Sequence, residues 1–210
     1  HSNNICPFPP ESIPNSIVYN QTCNNNKVRL VSYDLEEMTV EWDLYSDSDF
    51  SYYTLYVSDS QYGETEILTT ITDSNITSYS ISNFDPTVEN WFWISVTTEN
   101  DEEMVGDGMS NYIDTPPTMV SITSFDYDSN QLTINWNQSS DIDFVTYQLL
   151  QSSSPDIEGV DNSYEVVTVV DDILTTTFTF TEYFSPFETW FRIRVVDYWG
   201  LSSYGYEYNI

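Results

Sequence analysis

The chain has 210 residues, which is enough for one large domain or for two of about 100 residues that each bury a core. Its 34 acidic and 4 basic side chains give a formal net charge of −30, which excludes nucleic acids and anionic membranes as partners because neither phosphate nor lipid headgroups could be neutralised. An aromatic content of 16% excludes a disordered chain and favours a sheet protein.

Residues 1–26 form an N-terminal extension that contains both cysteines. Cys6 and Cys23 are most simply explained as one disulfide of a secreted protein, since their spacing fits neither a CxxC redox motif nor a zinc site. The first residue is His1 rather than Met, and no apolar run is long enough to cross a bilayer. We therefore expect an extracellular chain, secreted or at the cell surface, whose signal peptide has been removed, although a chain cut at this point would begin in the same way.

The sequence allows two alternative interpretations of the N-terminal extension. It could be a cap that packs on the first domain of its own chain. Alternatively, the apolar run Ile17, Val18 and Tyr19 could add a strand to the sheet edge of a neighbouring subunit, because exposed edges invite pairing.

Three glycosylation sequons begin at Asn20, Asn75 and Asn137. Glycans there would fit an extracellular compartment. A chain this rich in Asn, Ser and Thr also generates such triplets by chance, so occupancy depends on the source organism.

An internal repeat organises the rest of the chain. Met38–Ser60 aligns without a gap over Leu132–Ser154, at a shift of 94 residues, which brings Trp42 onto Trp136. The two copies, 27–114 and 115–210, meet at the sequence DTPPT, whose paired prolines predict a short, stiff linker.

Period-two alternation predicts seven strands in each copy and no helix. The predicted strands of the first copy are Lys27–Asp34, Met38–Tyr45, Tyr52–Ser58, Glu66–Thr72, Ser78–Asn83, Trp91–Thr98 and Met109–Ile113. Those of the second copy are Val120–Tyr127, Gln131–Asn137, Thr146–Ser152, Glu165–Val170, Thr176–Thr181, Trp190–Val196 and Tyr204–Asn209. Alternation places Trp42 and Trp136 inward on their strands. It places six apolar residues on the facing sheet: Phe92, Ile94, Val96, Phe191, Ile193 and Val195.

These residues carry a resemblance to a known family. A Trp on the second strand, the third-strand pairs Tyr53/Leu55 and Tyr147/Leu149, and a Phe-x-Pro before an aromatic sixth strand resemble tandem fibronectin type III domains, as in repeat arrays of bacterial extracellular proteins. The resemblance covers residues 27–210 and implies an all-β fold of two seven-stranded, immunoglobulin-like sandwiches. Many such domains open the sixth strand with a Tyr that ties down the preceding corner. Here Asn90 and Thr189 occupy that position, so the corner must be held differently.

Catalysis finds little support in the sequence. His1 is the only histidine, and nucleophile elbows, phosphate-binding glycine loops and HExxH are absent. The acidic residues are too numerous for any pair to indicate a glycosidase without geometry. We therefore expect no catalytic residue and no enzyme.

A phrase that occurs in both copies is the candidate metal site. SDSDF carries Asp47 and Asp49, and SDIDF carries Asp141 and Asp143. Two aspartates at i and i+2, with Asp43 near the first pair, could contribute oxygen ligands to Ca²⁺, the one cofactor that the sequence suggests. The alternative is an Asx-type turn between strands.

Surplus aromatic residues suggest a different function. Seven of them cannot all face a core: Tyr52, Tyr62, Tyr198, Trp199, Tyr204, Tyr206 and Tyr208. They could stack on sugars, or they could form ordinary cross-strand or interdomain contacts. The sequence thus favours a non-enzymatic extracellular structural or adhesive protein that self-assembles as the subunit of a surface filament. The alternative is a carbohydrate-binding module.

Overall fold

The computed structural model describes residues 26–155, 164–185 and 187–210. The chain divides into two compact units between Asp114 and Thr115. Every regular element in the described ranges is a β-strand, as the period-two alternation predicts. Consistent with this, those ranges contain no helix that could cross a membrane. The predicted disulfide between Cys6 and Cys23, the sequon at Asn20 and the run Ile17–Tyr19 lie outside the described residues.

Unit 1 is a sandwich of two antiparallel sheets. Its strands are β1 (Val28–Tyr33), β2 (Met38–Trp42), β3 (Phe50–Ser58), β4 (Glu66–Ile71), β5 (Ser78–Ile81), β6 (Trp91–Thr98), β7 (Glu103–Val105) and β8 (Met109–Ser110). One sheet has the order β1-β2-β5, and the other has the order β4-β3-β6-β7, with β8 also paired to β6.

Unit 2 repeats the same topology. Its strands are β9 (Ile122–Asp128), β10 (Gln131–Trp136), β11 (Phe144–Ser152), β12 (Glu165–Val170), β13 (Thr177–Phe180), β14 (Trp190–Asp197), β15 (Ser202–Tyr204) and β16 (Tyr208–Asn209). The sheet orders are β13-β10-β9 and β12-β11-β14-β15, with β16 also paired to β14. The prediction of an all-β protein with two tandem sandwiches is confirmed.

Each unit has its own core between its two sheets. Trp42 and Trp136 are 0% and 4% exposed, and the six residues predicted on the facing strands are all buried. The alternation on β6 and β14 therefore predicted the inner face correctly. Burial of this many large apolar side chains is the main stabilising contribution to each sandwich.

A buried tyrosine ties two loops together in each unit. The Tyr53 hydroxyl accepts the backbone N–H of Tyr45 at 2.8 Å and donates to the carbonyl of Ser74 at 3.3 Å. Tyr147 does the same with Ser139 at 2.6 Å and Ile173 at 3.0 Å. Both rings are 0% exposed, so these hydroxyls satisfy buried backbone groups far apart in sequence. The internal repeat aligns the two tyrosines, but the sequence does not predict this role for their hydroxyls.

The corner before the sixth strand is indeed held without a tyrosine. In unit 1 the Asn90 N–H donates to Asn111 Oδ1 at 2.7 Å, and the Asn90 side-chain amide donates to the carbonyls of Asp85 and Val88. In unit 2 Thr189 exchanges backbone hydrogen bonds with Ile210, both at 3.1 Å. Side-chain amides and main-chain pairing thus replace the hydroxyl.

The last strand differs from the prediction, because in each unit it is two short segments rather than one. Gly106 separates β7 from β8, and a Cβ there would lie 1.6 Å from the Asn26 carbonyl oxygen. Gly205 separates β15 from β16, and its Cβ would lie 1.9 Å from the Val120 carbonyl oxygen. The chain that precedes the first strand passes so close that only glycine fits, and it interrupts the ladder.

Candidate functional site

The repeated acidic phrase forms a turn before the third strand of each unit. In unit 1 the Tyr45 hydroxyl donates to Asp49 Oδ1 at 2.9 Å, and the Asp49 carbonyl accepts the N–H of Glu99 at 2.8 Å. Burial raises the pKa of Tyr45 to about 12, and the Asp49 carboxylate adds to the increase. Asp49 therefore anchors the turn from within, whereas Asp47 is exposed.

The unit 2 copy uses its aspartates differently. The Asp141 carboxylate accepts the Ser139 hydroxyl at 2.6 Å and the Thr118 N–H at 3.2 Å. The Asp143 carbonyl accepts the N–H of Tyr198 at 2.8 Å. Asp141 thus ties the start of unit 2 to this turn.

These contacts show that one aspartate of each repeated motif stabilises the turn through its side chain, much as in an Asx-type turn. Calcium binding stays a prediction. Among the described residues of either unit taken by itself, no three acidic side chains bring ligand atoms within 4.8 Å of one another. A Ca²⁺ site in one unit would need backbone carbonyls or water to complete its six to eight ligands.

The two sequons in the described residues are both exposed. Asn75 lies in the turn after β4, where its side-chain amide donates to Asp73 Oδ1 at 3.0 Å. Asn137 directly follows β10, and its N–H donates to the carbonyl of Ser121 at 3.1 Å. Both positions are accessible from solvent, and their glycosylation stays a prediction.

Two of the four cationic side chains lie together on the outer face of β14. Arg192 is only 8% exposed and stacks over the rings of Tyr164 and Tyr204, at 4.2 and 4.4 Å from the ring centroids. Arg194 stacks over Tyr204 at 5.5 Å, and Glu207 forms an ion pair with Arg192 at 3.8 Å. The stack stabilises this face of unit 2 and leaves Arg192 inaccessible to an anionic ligand. The sequence prediction missed it.

The surplus aromatic residues fall into two groups. Tyr62, Tyr198, Tyr206 and Tyr208 are exposed, whereas Tyr52, Trp199 and Tyr204 are half-buried. Tyr198 and Trp199 form an edge-to-face pair in the turn between β14 and β15, with ring centroids 5.0 Å apart. This pair joins an exposed ring to a half-buried ring, and both belong to the predicted aromatic set.

Unit 1 contains an open concavity of about 640 Å³ beside the turn between β3 and β4. Seven residues line it: Val57, Ser58, Asp59, Gly63, Glu64, Glu66 and Asn90. The lining carries three carboxylates and no aromatic ring, so it offers no surface on which a pyranose could stack.

β4 and β12 are the longest edge strands of the larger sheets, and each pairs with a neighbour on one side only. Both are rich in β-branched residues and have no Lys or Pro to discourage pairing. On β4, Ile67 is 64% exposed. On β12, Val166 and Val169 are 52% and 54% exposed.

A bulge occurs at the same place on both edges. The pairing skips Leu68 on β4 and Val167 on β12, and these two side chains pack against the cores. A bulge twists an edge locally and partly limits pairing. The segments Thr69–Ile71 and Thr168–Val170 beyond the bulge stay regular.

The corner between β13 and β14 presents a second open surface. Phe184 and Phe187 are 86% and 78% exposed, and Tyr127, at the end of β9, is 62% exposed. The Tyr127 ring packs edge-on against Tyr183, whose N–H donates to the Asn130 carbonyl at 2.7 Å.

Comparison with known proteins yields only structural matches. No protein-family model matches the chain, and no curated protein matches it. Many solved structures match the chain in part, among them two from chicken. The FN1-FN3 domains of chicken CNTN1 match at 12% identity and a TM-score of 0.37, over 90% of this chain and 66% of that one. A segment of two fibronectin type III domains from chicken tenascin matches at 14% identity and a TM-score of 0.39, over 88% and 97%.

The strand order of this chain is the more direct observation. Each unit pairs a three-stranded sheet with a larger sheet, in the order that Greek-key sandwiches of the fibronectin type III and immunoglobulin types share. By its strand order, the chain folds as two tandem sandwiches of the fibronectin type III-like kind. Such sandwiches support many functions, so function has to be argued from the surfaces described above.

Proposed function

We propose that this fibronectin type III-like protein is a non-enzymatic extracellular structural or adhesive protein that self-assembles, as the subunit of a surface filament. The observation that carries the proposal is the pair of open edge strands, β4 and β12. Each presents unpaired backbone groups and exposed β-branched side chains, the combination that accepts an additional strand.

The distribution of charge supports contacts made through the N-terminal extension. Residues 1–26 contain one acidic side chain, Glu11, and no Lys or Arg, so the remaining 33 acidic residues all lie within residues 27–210 of the sequence. Two sandwich surfaces would repel each other strongly, whereas the extension approaches an acidic neighbour at little electrostatic cost. Within it, Ile17, Val18 and Tyr19 are the candidate donor strand.

The first experiment measures assembly directly. Sedimentation velocity and electron microscopy of the full chain, over a series of protein and salt concentrations, should show particles that lengthen with both, because salt screens the repulsion between acidic surfaces. A chain that stays strictly monomeric at high protein and high salt concentration would refute self-assembly.

The second experiment tests the edge. Val169→Lys on β12 places a charge on the exposed edge and should weaken association about tenfold or more. Tyr206→Lys is the matched control, since it adds the same charge to an exposed position of unit 2 outside the edge strands. Equal effects of the two variants would indicate a general charge effect and would remove the support for edge pairing.

Carbohydrate binding is the second candidate, favoured by the Tyr198–Trp199 pair. An exposed ring braced by a neighbour suits stacking on a sugar face. A glycan array probed with the wild type and with Trp199→Ala tests it, with Tyr62→Ala as the control for loss of an exposed ring elsewhere. Binding that persists in Trp199→Ala would exclude this platform.

A further inference from the structure

Arg194, on the outer face of β14, is a half-buried cation that has no carboxylate partner among the residues that the structure describes. Of the other three cationic side chains, Arg29 and Arg192 each pair with a glutamate, at 3.0 and 3.8 Å, and Lys27 is exposed. Arg194 stacks over Tyr204 at 5.5 Å, and its Nε atom is buried without a hydrogen-bond acceptor in the described part of the chain. Buried N–H donors are normally paired, so this guanidinium is suited to receive a carboxylate from another segment.

The register of the sheet places no acidic residue beside Arg194 in its own row. Gln148 of β11 lies next to it on one side, and Tyr204 of β15 lies next to it on the other. Beyond Gln148, the same row ends at Val169 on the edge strand β12. The row from the open edge to Arg194 is therefore uncharged, and a carboxylate that meets Arg194 has to belong to a segment laid over this face.

Glu11 is the carboxylate that can approach this face at the lowest electrostatic cost. It is the only acidic residue among residues 1–33, and the other 33 acidic residues follow from Asp34 onward. A carboxylate on a sandwich brings many like charges with it, and their mutual repulsion with the acceptor surface offsets its attraction to one arginine. Glu11 brings no second negative charge.

We propose that Arg194 of one copy binds the Glu11 carboxylate of a second copy of this chain. The proposal rests on the proposed self-assembly, and it adds a charged contact to the addition of Ile17, Val18 and Tyr19 at the edge of β12. Edge pairing supplies backbone hydrogen bonds that any uncharged strand could form, whereas the ion pair selects this segment.

The segment is long enough to make both contacts. A strand added to β12 would lie three strand spacings, about 14 Å, from β14. Glu11 precedes Ile17 by six residues, which span up to about 20 Å when extended. Pro14, between them, has no N–H to donate to a ladder, so the chain can leave the edge there and cross the outer face.

The Tyr204 ring prepares Arg194 for this contact. It stacks on the guanidinium and restricts its orientation before binding, so little side-chain entropy is lost. The planar guanidinium offers paired N–H donors that match the two oxygens of a carboxylate, and partial burial strengthens the hydrogen bonds between them.

Charge reversal in the full chain tests the contact by sedimentation velocity. Arg194→Glu and Glu11→Arg, each alone, should weaken association at least about tenfold, because each brings like charges together. Arg29→Glu is the matched control, since it makes the same change of charge on a side chain that is 56% exposed in unit 1, and it should leave association within about twofold of the wild type. Equal losses in Arg194→Glu and Arg29→Glu would overturn the proposal.

Arg194→Gln is a milder variant that guards against a loss of folding. It removes the charge and keeps a polar side chain on β14, and it should also weaken association at low salt. The difference from the wild type should shrink as salt rises, because salt screens an ion pair and leaves packing unchanged. A loss that does not vary with salt would mean that Arg194 acts through packing alone, which overturns the proposal.

Mixing the two reversed chains gives the sharpest result. The changed residue of a Glu11→Arg chain meets the changed residue of an Arg194→Glu chain with opposite charge, and the unchanged Glu11 and Arg194 of the same two chains also match. An equimolar mixture should therefore associate at least about tenfold more tightly than either chain alone. A mixture that associates no better than its components overturns the proposal. Recovery only when both changes are in one chain would mean that Glu11 meets Arg194 of its own chain, which also overturns it.

A peptide of residues 10–21 with capped ends separates this inference from the proposed function. Titrated into the full chain and followed by the NMR signal of the Arg194 Nε–H, it should bind saturably, and a Glu11→Gln peptide should bind at least about tenfold more weakly. If the chain never self-associates but binds the peptide in this way, the proposed function fails and the site stands. If Val169→Lys weakens association while the charge reversals and the peptide have no effect, self-assembly stands and the inference is overturned.

Discussion

The Tyr147 hydroxyl offers a quantitative test of what holds each sandwich together. Tyr147→Phe keeps the ring, which packs edge-to-face on Trp136 with centroids 5.8 Å apart, and so leaves no cavity. It removes the acceptor of the Ser139 N–H and the donor to the Ile173 carbonyl. Ser139 is only 5% exposed, so water replaces the lost partner poorly.

Two lost hydrogen bonds, with a buried donor left unpaired, cost about 2 kcal/mol. For a domain of this size, that loss lowers the Tm of unit 2 by roughly 8–16 °C. Urea unfolding followed by circular dichroism and tryptophan fluorescence measures the free energy of unfolding. Tyr206→Phe, at a position 64% exposed, is the control and should change the free energy of unfolding by less than about 0.5 kcal/mol.

The repeat supplies a second version of the same experiment. Tyr53 makes the equivalent contacts in unit 1 at the longer distances of 2.8 and 3.3 Å. Tyr53→Phe should therefore destabilise unit 1 by less than Tyr147→Phe destabilises unit 2. A loss below about 0.5 kcal/mol in Tyr147→Phe would refute the reasoning that the hydroxyl satisfies buried backbone groups.

Two further predictions concern the backbone and pH. Gly205→Ala should destabilise unit 2 by more than about 2 kcal/mol in urea unfolding, because its Cβ would meet the backbone oxygen of Val120 at 1.9 Å. Gly63→Ala, whose Cβ meets only side-chain ends, should cost less, and equal losses would contradict the argument from close approach. The pKa of Tyr45 is raised from 10.0 to about 12 in the folded state, so the neutral phenol stabilises the fold below pH 10 and this contribution is lost as the pH rises towards 12. Tyr45→Phe should flatten that part of the stability–pH curve, and an unchanged slope would exclude Tyr45 as its source.

Much of the fold follows from local pattern. The alternation of Trp91–Thr98 predicts a strand with the bounds that the structure has, and its Phe92, Ile94 and Val96 face the core. The prediction from periodicity is correct here because successive side chains of a strand point to opposite faces of its sheet, whatever other residues surround the strand. The repeat then transfers the same interpretation to unit 2.

The candidate surfaces were less predictable. Asp49 and Asp143 belong to the same repeated phrase, yet Asp49 holds a tyrosine hydroxyl, whereas in unit 2 it is Asp141 whose side chain anchors the turn. The reason is that position 45 is Tyr and the matching position 139 is Ser, a difference that matters only once the chain is folded. The disulfide, the glycans and calcium stay predictions.

The sequence by itself determined the repeat, the sheet class and the inward-facing residues. It also determined the contrast between the nearly uncharged extension and the acidic remainder of the chain. All of these depend on residue type and spacing along the chain. Only the tertiary structure decided which surfaces stay open. Tyr204 and Tyr206 are two residues apart, yet Tyr204 is half-buried against Arg192 whereas Tyr206 is 64% exposed. Exposure depends on residues distant in sequence that cover a side chain, and no local pattern records them.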